Sequence, residues 1–140
     1  MVDRLSKAHR SWNMSRIRSR DTKPELRVRS LVHRLGYRFR LQAKQLTGKP
    51  DLVLPRYRTA VFVHGCFWHR HPGCRFAYHP RSRVEFWQTK FARNVERDEE
   101  VRTALEAEGW RVVVIWECET ATEDQLREVL LERLPPRDPA

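Results

Sequence analysis

The chain has 140 residues, with 28 Lys plus Arg against 18 Asp plus Glu, a formal charge of +10 and three cysteines. That length fits one domain with a real hydrophobic core. No apolar run approaches the roughly 18 residues of a membrane span, while three cysteines and a polar, basic start without an apolar leader exclude a disulfide scaffold and point to the reducing cytoplasm.

The positive charge is dominated by arginine, whose forked guanidinium suits phosphate oxygens, so a polyanion, and nucleic acid first, is the expected partner. Arg4, Lys7, Arg10, Arg16, Arg18, Arg20 and Lys23 crowd the first two dozen positions. Residues 1–21 are therefore read as a basic arm that orders on its partner. Trp12 and Met14 stand out in it, as base contacts or as ordinary core.

Thr22-Lys23-Pro24-Glu25 is a helix start, with threonine as cap, proline in the first turn and glutamate three residues on. Val28, Leu31, Val32 and Leu35 follow at helical spacing, and Gly36 can end the helix. Tyr37 to Leu41 alternates apolar side chains with arginine, which predicts a strand with one basic face. Thr47-Gly48-Lys49-Pro50 is turn-prone and leads into a short strand, Asp51 to Leu54, stopped by Pro55. Thr59 to Val63 carries few polar residues and reads as a central strand. Ser82-Arg83-Val84-Glu85 is read as a second capping box before a long helix that ends at Gly109. The run Val112 to Ile115 is apolar on both faces, as in a strand covered by helices on both sides. Thr122 to Gln125 predicts a third capped helix, lined by Leu126, Val129, Leu130 and Leu134 and ended by Pro135-Pro136. The order helix, strand, strand, strand, helix, strand, helix argues for one α/β domain over residues 22–140, with a central mixed sheet flanked by helices.

The stretch His64 to Cys74 packs two cysteines and three histidines around a Phe-Trp pair. Cys66, His71 and Cys74 have metal-ligand spacing, and Cys118 can complete a four-ligand tetrahedral zinc site. A closed shell leaves no position for water, so this zinc is read as structural, against the alternative of inert reduced thiols. Pro50-Asp51 at a strand start also fits metal nucleases of the PD-(D/E)xK type. The second acid and the lysine of that pattern are missing, because Val61, Phe62 and Val63 occupy the strand that would carry them.

Further motifs carry a resemblance. The block His64-Gly-Cys-Phe-Trp-His69 is preceded by Gly48-Lys-Pro-Asp51 and followed by Glu85-Phe-Trp87, Asn94-Val-Glu-Arg-Asp98, Gly109-Trp-Arg-Val and Trp116-Glu-Cys118. From about Ser11 to Cys118 the chain closely resembles the very short patch repair endonucleases. The resemblance implies a restriction-endonuclease-like fold and a bacterial, nucleoid-acting DNA repair enzyme. Such an enzyme recognises a T:G mismatch left by 5-methylcytosine deamination and nicks 5′ of the thymine.

It further implies that Asp51 and the backbone carbonyl of Val63 bind Mg²⁺, with a pair of ions expected; family members can carry threonine at the second position. His69 is implied as general base in place of the usual lysine, with His64 supporting the phosphate or the water and Glu25 holding metal-bound waters. Phe67, Trp68 and Trp87 match aromatic residues inserted beside the mismatch, Lys90 and Asn94 match positions that contact the T:G pair, and Met14 matches a residue that packs on bases. The zinc loop has one residue more between its last two ligands than the family pattern, so the histidine ligand is His71 or His69. A monomer acting on double-stranded DNA is expected, with mismatch-repair proteins as further partners. The competing readings are a related restriction-system nuclease of other specificity and a non-catalytic, zinc-stabilised DNA-binding module.

Overall fold

A computed structural model describes residues 22–41 and 45–137. The basic arm, with Met14, lies outside the described residues. The first helix, α1 (Lys23–Arg34), starts where the sequence puts it: the Thr22 side chain accepts the Glu25 N–H at 3.4 Å, and proline sits in the first turn. Its residues Val28, Leu31 and Val32 are fully buried. The strand expected from Tyr37 narrows to β1 (Arg40–Leu41). Tyr37 instead turns into the core, where its hydroxyl donates to the Pro135 carbonyl at 2.6 Å.

Strand β2 (Leu52–Leu54) pairs antiparallel with both β1 and β3 (Thr59–His64), and β3 pairs parallel with β4 (Arg111–Trp116). The sheet is mixed and four-stranded, in the order β1-β2-β3-β4. Alternation along the strands divides the core. Leu52, Leu54, Val61, Val113 and Ile115 pack with α1 and with α3 (Glu123–Arg133). On the opposite face, Ala60, Phe62, Val112 and Val114 meet Val101 and Leu105 of the long helix α2 (Val84–Ala107). The result is one three-layer α/β domain.

The start of α2 departs from expectation. Arg83, not Ser82, occupies the cap position with φ 52° and makes no side-chain cap bond, so the expected Ser82 capping box is absent. The far end is held from the β2–β3 turn: Arg58 donates to the Glu108 carbonyl at 2.9 Å and lies 4.7 Å over the Trp110 ring. Parallel pairing of β3 with β4 brings the two strand ends, His64 and Trp116, side by side. The cysteine- and histidine-rich loop leaves from that edge. None of the helices in the described residues is long and apolar enough to cross a membrane.

Candidate active site and metal-ligand cluster

Asp51 stands immediately before β2. Its N–H donates to the Val61 carbonyl at 3.0 Å, and its carboxylate accepts the Val63 N–H at 2.6 Å. Burial pushes its pKa up to about 6; the Val63 bond opposes this and the nearby Glu25 carboxylate reinforces it. Glu25 is 5 % exposed and lies 3.4 Å from the Arg29 guanidinium. Its amide serves the helix cap while the residue also lines the cleft.

Glu25, Asp51, Val63, His64 and His69 line one cleft of about 920 Å³. His64 points to the α2 side of the sheet. Its ring stacks on His69, with centroids 3.9 Å apart and planes 6° from parallel, and meets the edge of Trp116 at 5.3 Å. Burial first, then the like charge of His69, depress the His64 pKa to about 4. This ring is therefore neutral at ordinary pH.

One residue of the site was missed by sequence reasoning. Asp98, on α2, places Oδ2 2.7 Å from His69 Nδ1. One turn earlier on the same helix, Asn94 donates to the Trp68 carbonyl at 3.0 Å. Both side chains fasten the loop to α2. The available signal was the polar pair Asn94 and Asp98, four positions apart and so on one side of a helix.

Phe67 and Trp68 are half-buried against α2. Phe67 packs 5.1 Å from Phe91 and 5.5 Å from Trp87, and Lys90 Nζ lies 5.2 Å over Trp68. Arg70 holds this loop together by donating to the carbonyls of Phe67, Ala77 and Tyr78 at 2.9–3.2 Å. Its guanidinium also lies 4.0 Å over Phe91.

Cys66, His71, Cys74 and Cys118 form a second group, with ligand atoms all within 4.8 Å of one another. His71, not His69, joins the cysteines. Its ring stacks 4.3 Å from that of Trp116, on whose edge His64 also rests. Burial and the neighbouring thiols push Cys118 up to about 12, and burial raises Cys66 as well. Three crowded sulfurs and an imidazole at tetrahedral reach form a donor set that could bind zinc, whose charge would offset the cost of their ionisation.

Comparison with known proteins adds the decisive observation. A family model described as DNA mismatch endonuclease Vsr matches residues 2–75. The chain is 51 % identical over 134 residues to the type II nicking enzyme V.XorIIP of Xanthomonas oryzae, covering 93 % of this chain and 98 % of that protein. It is also 45 % identical over 135 residues to the DNA mismatch endonuclease Vsr of Escherichia coli, covering 96 % and 86 %. The type II nicking enzyme V.NmeAIP of Neisseria meningitidis is 43 % identical over 130 residues, with 93 % and 92 % covered.

The chain belongs to the Vsr family. It is a DNA-nicking endonuclease, a hydrolase, with the restriction-endonuclease-like fold of that family. The non-catalytic alternative is thereby set aside.

Proposed function

We propose that this enzyme recognises T:G mispairs in duplex DNA and nicks 5′ of the mispaired thymine by Mg²⁺-dependent hydrolysis. The observation that carries this reading is a half-buried carboxylate, Asp51, facing the same cleft as an imidazole, His69, that is bonded to a second carboxylate. Asp51 and the Val63 carbonyl are the hard oxygen ligands for the ions, with Glu25 supporting their hydration. When bound, magnesium offsets negative charge developing on the attacked phosphate and the leaving oxygen.

The remaining steps belong to the protein. His69 takes the proton of the attacking water through the ring nitrogen not held by Asp98. Asp98 fixes that tautomer and stabilises the imidazolium that forms. The neutral His64, stacked on the same ring, keeps its plane fixed without adding a competing charge. Cys66, His71, Cys74 and Cys118 would hold the zinc, which would tie the loop that carries His69 to the end of β4.

The DNA reading follows from charge and shape. The arm over residues 1–21 with Met14 reaches the duplex, and Phe67, Trp68 and Trp87 act as a wedge beside the mispair. Lys90 and Asn94 contact the T:G pair. A mispaired step costs less to unstack, so part of the selectivity is deformation. The aromatic cluster is half-buried before DNA arrives, which suits a wedge that must keep its shape. The enzyme acts as a cytoplasmic monomer at the nucleoid, where mismatch-repair proteins are natural partners.

A second reading concerns sequence context. Two relatives are named type II nicking enzymes and one a mismatch endonuclease, so the surrounding recognition sequence is a separate question from the mispair. A labelled duplex with one T:G pair in CC(A/T)GG, beside other palindromic contexts and paired controls, separates them. Nicking of T:G in a different context redirects the sequence preference alone. Equal nicking of paired and mispaired duplexes overturns the proposal.

A further inference from the structure

His64, His69 and Asp98 place one imidazole nitrogen each and a carboxylate oxygen within 4.8 Å of one another. Nitrogen donors suit borderline ions of the zinc class better than magnesium, which prefers oxygen and keeps its water. We propose that this trio is a second, weaker zinc site, and that zinc bound there switches nicking off. A cation entering between His69 Nδ1 and Asp98 Oδ2 replaces the proton they share at 2.7 Å. At bond lengths near 2 Å, tetrahedral ligands stand roughly 3.3 Å apart, so that pair opens only slightly. His64 supplies the third ligand by turning its ring out of the stack on His69, since an imidazole lone pair lies in the ring plane. Solvent in the cleft completes the shell, as in three-ligand sites with an open position.

The two zinc sites fill in order. The Cys66, His71, Cys74 and Cys118 group offers four ligands, three of them thiolates, and takes the first equivalent. The second site has three ligands and requires a hydrogen bond and a ring stack to be rearranged, so it binds more weakly by about a hundredfold or more. Zinc there holds His69 in a cationic complex and removes Asp98 as its partner. The ring can then neither keep its tautomer nor accept the proton of water. The zinc count rests on the cluster alone, whereas the loss of nicking also rests on the role given to His69.

The test titrates zinc into protein already carrying one equivalent, with bound metal counted by equilibrium dialysis and nicking assayed at fixed Mg²⁺. The expected result is a second equivalent whose binding curve coincides with loss of nicking, reversed by a mild chelator that leaves the first equivalent in place. Asp98→Asn and His69→Gln should each lose the second equivalent and keep the first, which also reports that they are folded. Binding that stops at one equivalent in the wild-type protein overturns the site. So does a second equivalent retained by both variants, which places it elsewhere. A second equivalent that is lost in both variants but leaves wild-type nicking untouched overturns the inhibitory role and, with it, His69 as the base.

Discussion

In the proposed mechanism Asp51 and His69 divide the chemistry between a carboxylate made costly to ionise by burial and an imidazole steered by Asp98. Asp51→Ala should abolish nicking while leaving affinity for a T:G duplex within about threefold, as read by paired cleavage and gel-shift titrations. A variant that cuts at the normal rate would remove Asp51 from the metal site. Asp98→Asn tests a different part of the mechanism. An amide keeps the shape but cannot hold the imidazolium, so kcat should fall by about 10²–10⁴ with little change in KM. Asp51 and His69 could be singled out in the sequence because each sits in a compact motif, and the fold brings both to one cleft. Asp98 could not, because its partner lies 29 positions away and only folding brings α2 onto the loop. The choice between His69 and His71 as zinc ligand was open for a similar reason: spacing admits both, and only the direction each ring takes from the loop separates them.

The elements were read more securely than their ends. The lack of polar residues in Thr59 to Val63 marked β3 as an interior strand, the apolar run Val112 to Ile115 marked β4 as a strand covered on both faces although it closes the sheet at one edge, and the Thr22 cap was correct. The strand from Tyr37 was overextended because a tyrosine at an alternating position can also serve as a core anchor, and this one does. Tyr37→Phe should cost about 1 kcal/mol at neutral pH by removing the bond to Pro135. Burial raises the Tyr37 pKa, so its contribution is complete below the ordinary tyrosine value of about 10 and is lost as the pH climbs beyond it. Denaturation curves of wild type and variant should therefore converge above that pH; a constant gap would contradict the assignment. Gly48 offers a second test at this scale. It has φ +77°, and a Cβ added there would stand 2.4 Å from Val101 Cγ1. Gly48→Ala should destabilise the fold by about 1–3 kcal/mol and slow nicking, because the strained turn leads directly to Asp51. Stability measured by urea titration and unchanged nicking would mean that the turn does not position the carboxylate.

At the scale of the whole molecule, charge and fold act together. A formal charge of +10 predicts duplex affinity that falls steeply with salt, with a log–log slope of about −0.9 for each phosphate neutralised. Salt titration on T:G and paired duplexes should give similar slopes and different intercepts. A flat response would show that the basic surface does not face DNA. The side-by-side ends of β3 and β4 have a further consequence. The loop between Cys66 and Cys74 holds His69, the proposed base, near its middle, and the third cysteine of its cluster is Cys118 across the sheet edge. Air exposure that ties up any of those sulfurs would therefore silence turnover in a sample whose catalytic side chains are chemically intact. A purified batch that has lost its nicking ability should regain it on treatment with a reductant and metal, and its free-thiol titre is the first thing to measure.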